Sequence, residues 1–199
     1  MISENLMIKY QAELKDFNKE DILFKSSSLA RYYYQIHKGE VKVSNMNSDG
    51  KEFIQYIFSK KGRGIGEPAL LGGFKYPANC MVTKPSKIWV LKKKDFFKLL
   101  EENVNTHFEM SKIISERLYF KYVMAYENTI ENSEHRILTL LNYLKTQVYN
   151  KLEPFEYQVE LSRQEIGNLT GLRVETVIRT IKKLEKNNSL KLIHRKIYI

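Results

Sequence analysis

The sequence predicts an α+β chain: an antiparallel β-roll, a long helix, and a small helical domain that holds a helix-turn-helix and ends in a hairpin. Three observations predict it. The first hundred residues alternate apolar and polar side chains between turn residues, the period of half-buried strands. Residues 105–130 contain neither Gly nor Pro, which reads as one long helix. Ser162 and Glu165 have the S-x-x-E form of a capping box and Gly171 follows, so a short helix, a turn and a second helix are expected. The expected boundaries are 1–104 for the roll, 105–130 for the long helix and 131–199 for the C-terminal domain.

The roll should contain a strand at Asp21–Lys25. Tyr32, Tyr34 and Ile36 alternate before Lys38-Gly39, and Val41 and Val43 after it, which predicts a hairpin turning at the glycine. Asn47-Ser48-Asp49-Gly50 predicts a second turn into the run Phe53–Phe58. Strands at Ala78–Thr83 and Lys87–Leu91 complete the spacing of a barrel or roll. Lys94–Glu101 reads as a short helix.

In the long helix Met110, Ile114, Leu118 and Ala125 fall near one face, thickened by Phe108, Tyr119, Tyr122 and Tyr126. A helix this long outruns one small barrel, so the stripe is read as a seam for a second copy of the chain. Packing onto its own roll is the other use of such a stripe. Glu131-Asn132-Ser133 reads as a hinge, and Glu134–Thr146 as a scaffold helix that buries Ile137, Leu138, Leu141 and Leu144.

The capped helix should run from Ser162 to Thr170 and the second from Arg173 to Lys186, with Val177, Ile181 and Leu184 on its apolar stripe. Leu190–Ile193 and Lys196–Ile199 alternate around His194-Arg195, which predicts a terminal hairpin or wing. The net charge is +10, and residues 161–199 hold nine Lys or Arg against three Glu. A polyanion should therefore meet this end of the chain. The exposed face of the second helix carries Glu175, Thr176, Arg179, Lys182 and Lys183, with Arg173 at its entrance. Such a face suits a DNA major groove: an arginine bonds guanine O6 and N7, a carboxylate accepts from cytosine N4, and lysines neutralise phosphates. Two other readings stand beside it: an ordinary i,i+4 ion pair on a solvated helix, and a ligand-binding module whose helix-turn-helix contacts protein rather than DNA.

Leu161-Ser162-Arg163-Gln164-Glu165-Ile166-Gly167, Gly171, Glu175-Thr176-Val177 and Arg179 resemble the winged helix-turn-helix of the Crp/Fnr regulators. Tyr33–Val43, Asp49-Gly50-Lys51-Glu52 and Gly62 through Gly66-Glu67-Pro68 resemble that family's cyclic-nucleotide-binding-type roll, a jelly-roll-like double-stranded β-helix. The resemblance covers nearly the whole chain and implies that the long helix is a dimer helix. It implies that Glu175 and Arg179 read base edges, while Ser162, Arg163, Gln164, Arg173 and Thr176 secure the backbone; the charge of the exposed face independently assigns Lys182 and Lys183 to phosphates. Val174 stands where the cyclic-AMP branch has an arginine, and Val174-Glu175-Thr176 is nearer the Fnr branch. A homodimer reading a palindromic operator with Fnr-like half-sites is implied. In the roll the resemblance places an effector pocket at Gly66, Glu67, Tyr76, Pro77 and Ala78. There Pro77-Ala78 replaces the arginine and serine that hold a cyclic phosphate, so cyclic AMP is not expected and any small-molecule effector is unidentified. Activation in this family needs a surface patch that touches RNA polymerase, and Lys151–Gln158 is a candidate loop for it; an ordinary strand or linker that packs the domain is the other reading of that segment.

Cys80 is the lone cysteine, which rules out an intrachain disulfide and a four-cysteine cluster of the Fnr oxygen-sensing type. His37, His107, His135 and His194 show no placement that suggests haem ligation. No metal or cofactor is expected. Zinc-protease, nucleophile-elbow, Walker and dinucleotide signatures are absent, and Gly62-Arg63-Gly64-Ile65-Gly66 is better explained by tight turns. An enzyme is not predicted. Neither a secretory leader nor a membrane span is legible, so a cytoplasmic protein is expected.

Overall fold

The computed structural model describes residues 2–129 and 132–199. The chain forms two compact units, Met1–Glu116 and Arg117–Ile199.

The first unit opens with α1 (Glu4–Lys9), whose Ser3 cap accepts a hydrogen bond from the Leu6 amide. Then come β1 (Glu13–Phe17), β2 (Ile22–Phe24), β3 (Tyr32–Met46), β4 (Glu52–Phe58), β5 (Gly64–Ile65), α2 (Glu67–Leu71), β6 (Asn79–Lys92) and α3 (Lys93–Glu102). Every pairing is antiparallel: β6 lies between β1 and β3, β3 also pairs β4, and β2 and β5 add to β6 and β3. Tyr33, Ile36, Val41, Val82, Ile88 and Leu91 from the long strands meet Phe96 and Leu99 of α3 in one core.

The predicted hairpin at Gly39 does not form; β3 runs straight through it. Gly39 has φ +105°, and a Cβ there would lie 2.6 Å from the Ser86 Cα. The glycine therefore serves close approach of two long strands, with register shifts between Ile36 and Val41, and it marks a bulge rather than a turn. Opposite it, the two strands expected at 78–83 and 87–91 are one strand, because Pro85 occupies the same irregular stretch and forfeits no regular ladder bond. The Asn47–Gly50 turn forms as expected: Asn47 Oδ1 accepts from the Asp49 and Lys51 amides, and Gly50 adopts φ +74°. Sequence reading missed α1, β1 and α2.

α4 (Val104–Glu127) carries the boundary between the units. Its Met110 is buried in the roll's core and Ile114 packs against it. Phe120 and Met124 belong to the second unit's core. Ile130 and Glu131, the expected helix end and the first hinge residue, lie outside the described residues. Asn132 instead caps α5 (Ser133–Tyr143), its Oδ1 accepting from the Glu134 and His135 amides. α5 continues into a π-helical turn, Leu144–Val148. β7 (Gln158–Val159), α6 (Arg163–Thr170), α7 (Val174–Lys186), β8 (Lys191–Ile193) and β9 (Lys196–Tyr198) follow, and the three strands form a sheet in the order β7-β9-β8.

Candidate nucleic-acid interface

Local chemistry sets the ends of α6. Ser162 Oγ accepts from the Glu165 amide at 3.2 Å and Glu165 Oε2 from the Ser162 amide at 2.7 Å, a complete capping box. Gly171 ends the helix in the left-handed region. A Cβ on Gly167 would lie 2.8 Å from the Leu172 carbonyl oxygen, so this glycine lets the turn close over α6. α7 then buries Val177, Thr180, Ile181 and Leu184 and fixes which face it exposes.

α7 is anchored at two further points. Ser133 and Thr180 hydroxyls lie 2.9 Å apart, and Lys183 forms an ion pair with Glu134 of α5. Lys183 is thus engaged within the domain. Glu175, Arg179, Lys182 and Lys186 stand exposed beside Ile178. Among the described residues neither Glu175 nor Arg179 forms an ion pair, so the i,i+4 pairing that the sequence also allowed is not made. Arg173 is an exposed N-cap and Thr176 is half-buried.

The wing lies beside this face. β8 and β9 are joined by His194 and Arg195, both at positive φ, as a two-residue hairpin turn of type I′ requires. Arg163 on α6 donates from its guanidinium to the Arg195 carbonyl at 3.1 Å, which ties the start of α6 to the wing tip. Half-burial lowers the Arg163 pKa, yet a guanidinium keeps its charge in proteins. Gln164 donates to Asn168 Oδ1 at 2.9 Å. A groove of about 640 Å³ runs between wing and helix, and its lining includes Leu161, Ile178 and Leu192, the cationic Arg163, Lys182, Arg195 and Lys196, and the acidic Glu160 and Glu165. The structure thus brings the predicted α6 and α7 residues onto one domain. Sequence reading missed Ile178 and Lys186, although a rotation of about 100° per residue puts both on the exposed arc.

In the roll, Gly66 caps α2 at φ +79° and Glu67 is buried behind it. A Cβ on Gly66 would lie 2.8 Å from the Tyr76 ring. Tyr76 stacks on Phe24 with centroids 3.7 Å apart and donates to the Tyr32 carbonyl. Ala78 is buried, and the exposed Pro77 uses its carbonyl to accept from Asn45. A cyclic phosphate requires charged or hydroxylic donors, and Pro77 and Ala78 supply neither. Burial raises the thiol pKa of Cys80 and favours its protonated form. His37 bonds Glu4 and His135 bonds Glu127. Among the described residues no group of three or more His, Cys, Asp or Glu is placed to hold a metal, and no helix is long and apolar enough to cross a membrane.

An antiparallel roll followed by a capped helix-turn-helix with a wing and an exposed basic recognition face defines a DNA-binding transcription regulator. Comparison with known proteins carries this to a family. Residues 14–103 match the model of the cyclic nucleotide-binding domain, and residues 159–190 that of the bacterial regulatory proteins of the crp family. The chain is 28% identical over 182 residues to the cAMP-activated global transcriptional regulator CRP of Haemophilus influenzae, covering 91% of this chain and 80% of that protein. It is 24% identical over 177 residues to the fumarate and nitrate reduction regulatory protein of Vibrio cholerae, covering 88% of this chain and 70% of that one. Among solved structures, FixK2 of Bradyrhizobium japonicum superposes with a TM-score of 0.77 at 19% identity, covering 94% of this chain and 92% of that chain. The c-di-GMP responsive regulator CLP of Xanthomonas campestris does so at 0.74 and 18%, covering 98% and 99%. The chain belongs to the Crp/Fnr family of transcription regulators.

Proposed function

We propose that the chain acts in the cytoplasm as a homodimer that reads a palindromic operator, with Glu175 and Arg179 of α7 on base edges and Arg173, Thr176 and Lys182 on the backbone. The observation that carries this reading is the free, exposed pair Glu175 and Arg179 on a helix anchored along its opposite face. Val174 precedes the glutamate and has no donor for guanine, so the half-site resembles TTGAT rather than TGTGA. Ser162 serves first as the α6 cap. Arg163 and Gln164 stand at the start of the same helix, where backbone contacts are made.

Pairing runs along α4. Phe108, Ser111, Ser115, Leu118, Tyr122 and Ala125 are all exposed, and they follow one another at the alternating three- and four-residue spacing of a two-helix seam. Met110 and Ile114 lie outside that seam, since the roll takes them. No cyclic nucleotide is required, because Tyr76 and Phe24 stack against the glycine that opens α2. The Lys151–Gln158 loop, where Glu156 accepts from the Leu152 and Glu153 amides, is a surface available to RNA polymerase.

Selection from a randomised duplex library, at about 0.1 M salt and without effector, tests this. The expected motif is two-fold symmetric, with half-site centres about 34 Å apart. Enrichment of a TGTGA half-site, or of nothing until a nucleotide is added, contradicts it.

A further inference from the structure

The geometry points to Ile178 as a third base-reading residue, one that recognises the C5-methyl group of thymine; the inference rests on the DNA-reading role of α7 proposed above. Ile178 is 43% exposed, whereas Val177, Ile181 and Leu184, which hold α7 to its domain, are at most 2% exposed. At 100° per residue Ile178 lies about 60° around the helix from Glu175 and about 40° from Lys182. It therefore belongs to the arc that carries Glu175, Arg179 and Lys182, and lines the same open cleft with them.

An isoleucine gains little from this position in the isolated domain. It leaves much of its apolar surface in water, and a β-branched side chain is slightly unfavourable in a helix. The same branching stiffens χ1, so the side chain offers a directed apolar surface without a donor or acceptor. Base edges in the major groove present hydrogen-bonding groups and one apolar group, the thymine methyl. Polar neighbours complete the arrangement: Arg179 follows directly in sequence, and Lys182 reaches from one turn further on. A methyl buried between Ile178 and these stems leaves water, and the contact is lost with cytosine or uracil.

The experiment uses the full chain and its selected operator, in which each thymine is replaced in turn by deoxyuridine, a change that removes only the methyl. Binding is followed by fluorescence anisotropy for the wild-type protein and for Ile178→Ala, whose fold is checked by its melting temperature. At one thymine of each half-site, loss of the methyl is expected to weaken wild-type binding roughly fourfold. Ile178→Ala should bind the thymine and uracil duplexes equally. A wild-type protein that selects guanine and ignores every thymine methyl overturns the role of Ile178 alone, as does a variant that keeps the full thymine preference. Loss of all sequence preference in the wild type overturns the reading of α7 and this inference with it.

Discussion

Gly39 and Gly171 both adopt positive φ, +105° and +73°, yet they answer different demands. A Cβ on Gly171 meets nothing within 4 Å, whereas one on Gly39 would lie 2.6 Å from Ser86 Cα. Gly171→Ala should therefore cost only the left-handed backbone penalty, about 1 kcal/mol. Gly39→Ala adds a backbone collision to that penalty and should cost roughly 3 kcal/mol or more. Urea denaturation of the two variants checks the order, and equal losses would contradict it. The same pair shows what a sequence reveals at this scale. Gly171 was legible because the capping box at Ser162 and Glu165 had already placed a helix start eight residues upstream. Gly39 was misread because a glycine between alternating residues signals a turn and a bulge equally, and the strand that decides between them holds Ser86, far along the chain.

Among the elements, α7 was predicted well and α4 in part. The apolar stripe of α7 has one destination, its own domain, so Val177, Ile181 and Leu184 were identified as buried and are buried. α4 serves the roll, its second unit and, on the present proposal, a second chain. Its apolar residues cannot be sorted by periodicity alone: Met110 looks like a seam residue in sequence and is 5% exposed in the roll's core. Leu118 and Tyr122 remain, 49% and 65% exposed, on the three-four spacing. Leu118→Glu with Tyr122→Glu should leave the fold intact and convert a dimer to a monomer in sedimentation, with operator affinity falling at least tenfold. A dimer that survives both changes would contradict pairing along this face. Ile178 escaped the sequence reading for the converse reason: an apolar residue next to Val177 looks like core unless its angle around the helix is followed, which puts it on the exposed arc.

For the molecule as a whole, the uneven charge was the most informative bulk property. Nine cationic residues against three Glu in the last 39 positions pointed to a polyanion before any motif was considered, and the structure spreads Arg179, Lys182, Lys186, Arg195 and Lys196 over the exposed face of α7 and the wing. The roll was less legible as a binding domain, because whether Gly66 and Glu67 open onto a ligand depends on Tyr76 and Phe24, which only the fold brings together. What distinguishes a regulator from a general DNA-binding protein is that α7 reads bases rather than merely holding phosphates. The two are separated by the Kd of Arg179→Ala and wild type on the selected operator and on the same duplex with the contacted guanine replaced, over a range of salt concentrations. Arg179→Ala should lose about ten- to a hundredfold on the operator, become indifferent to the guanine, and keep most of the salt slope that phosphate contacts produce. An Arg179→Ala protein that discriminates the two duplexes as sharply as wild type would contradict base reading by α7.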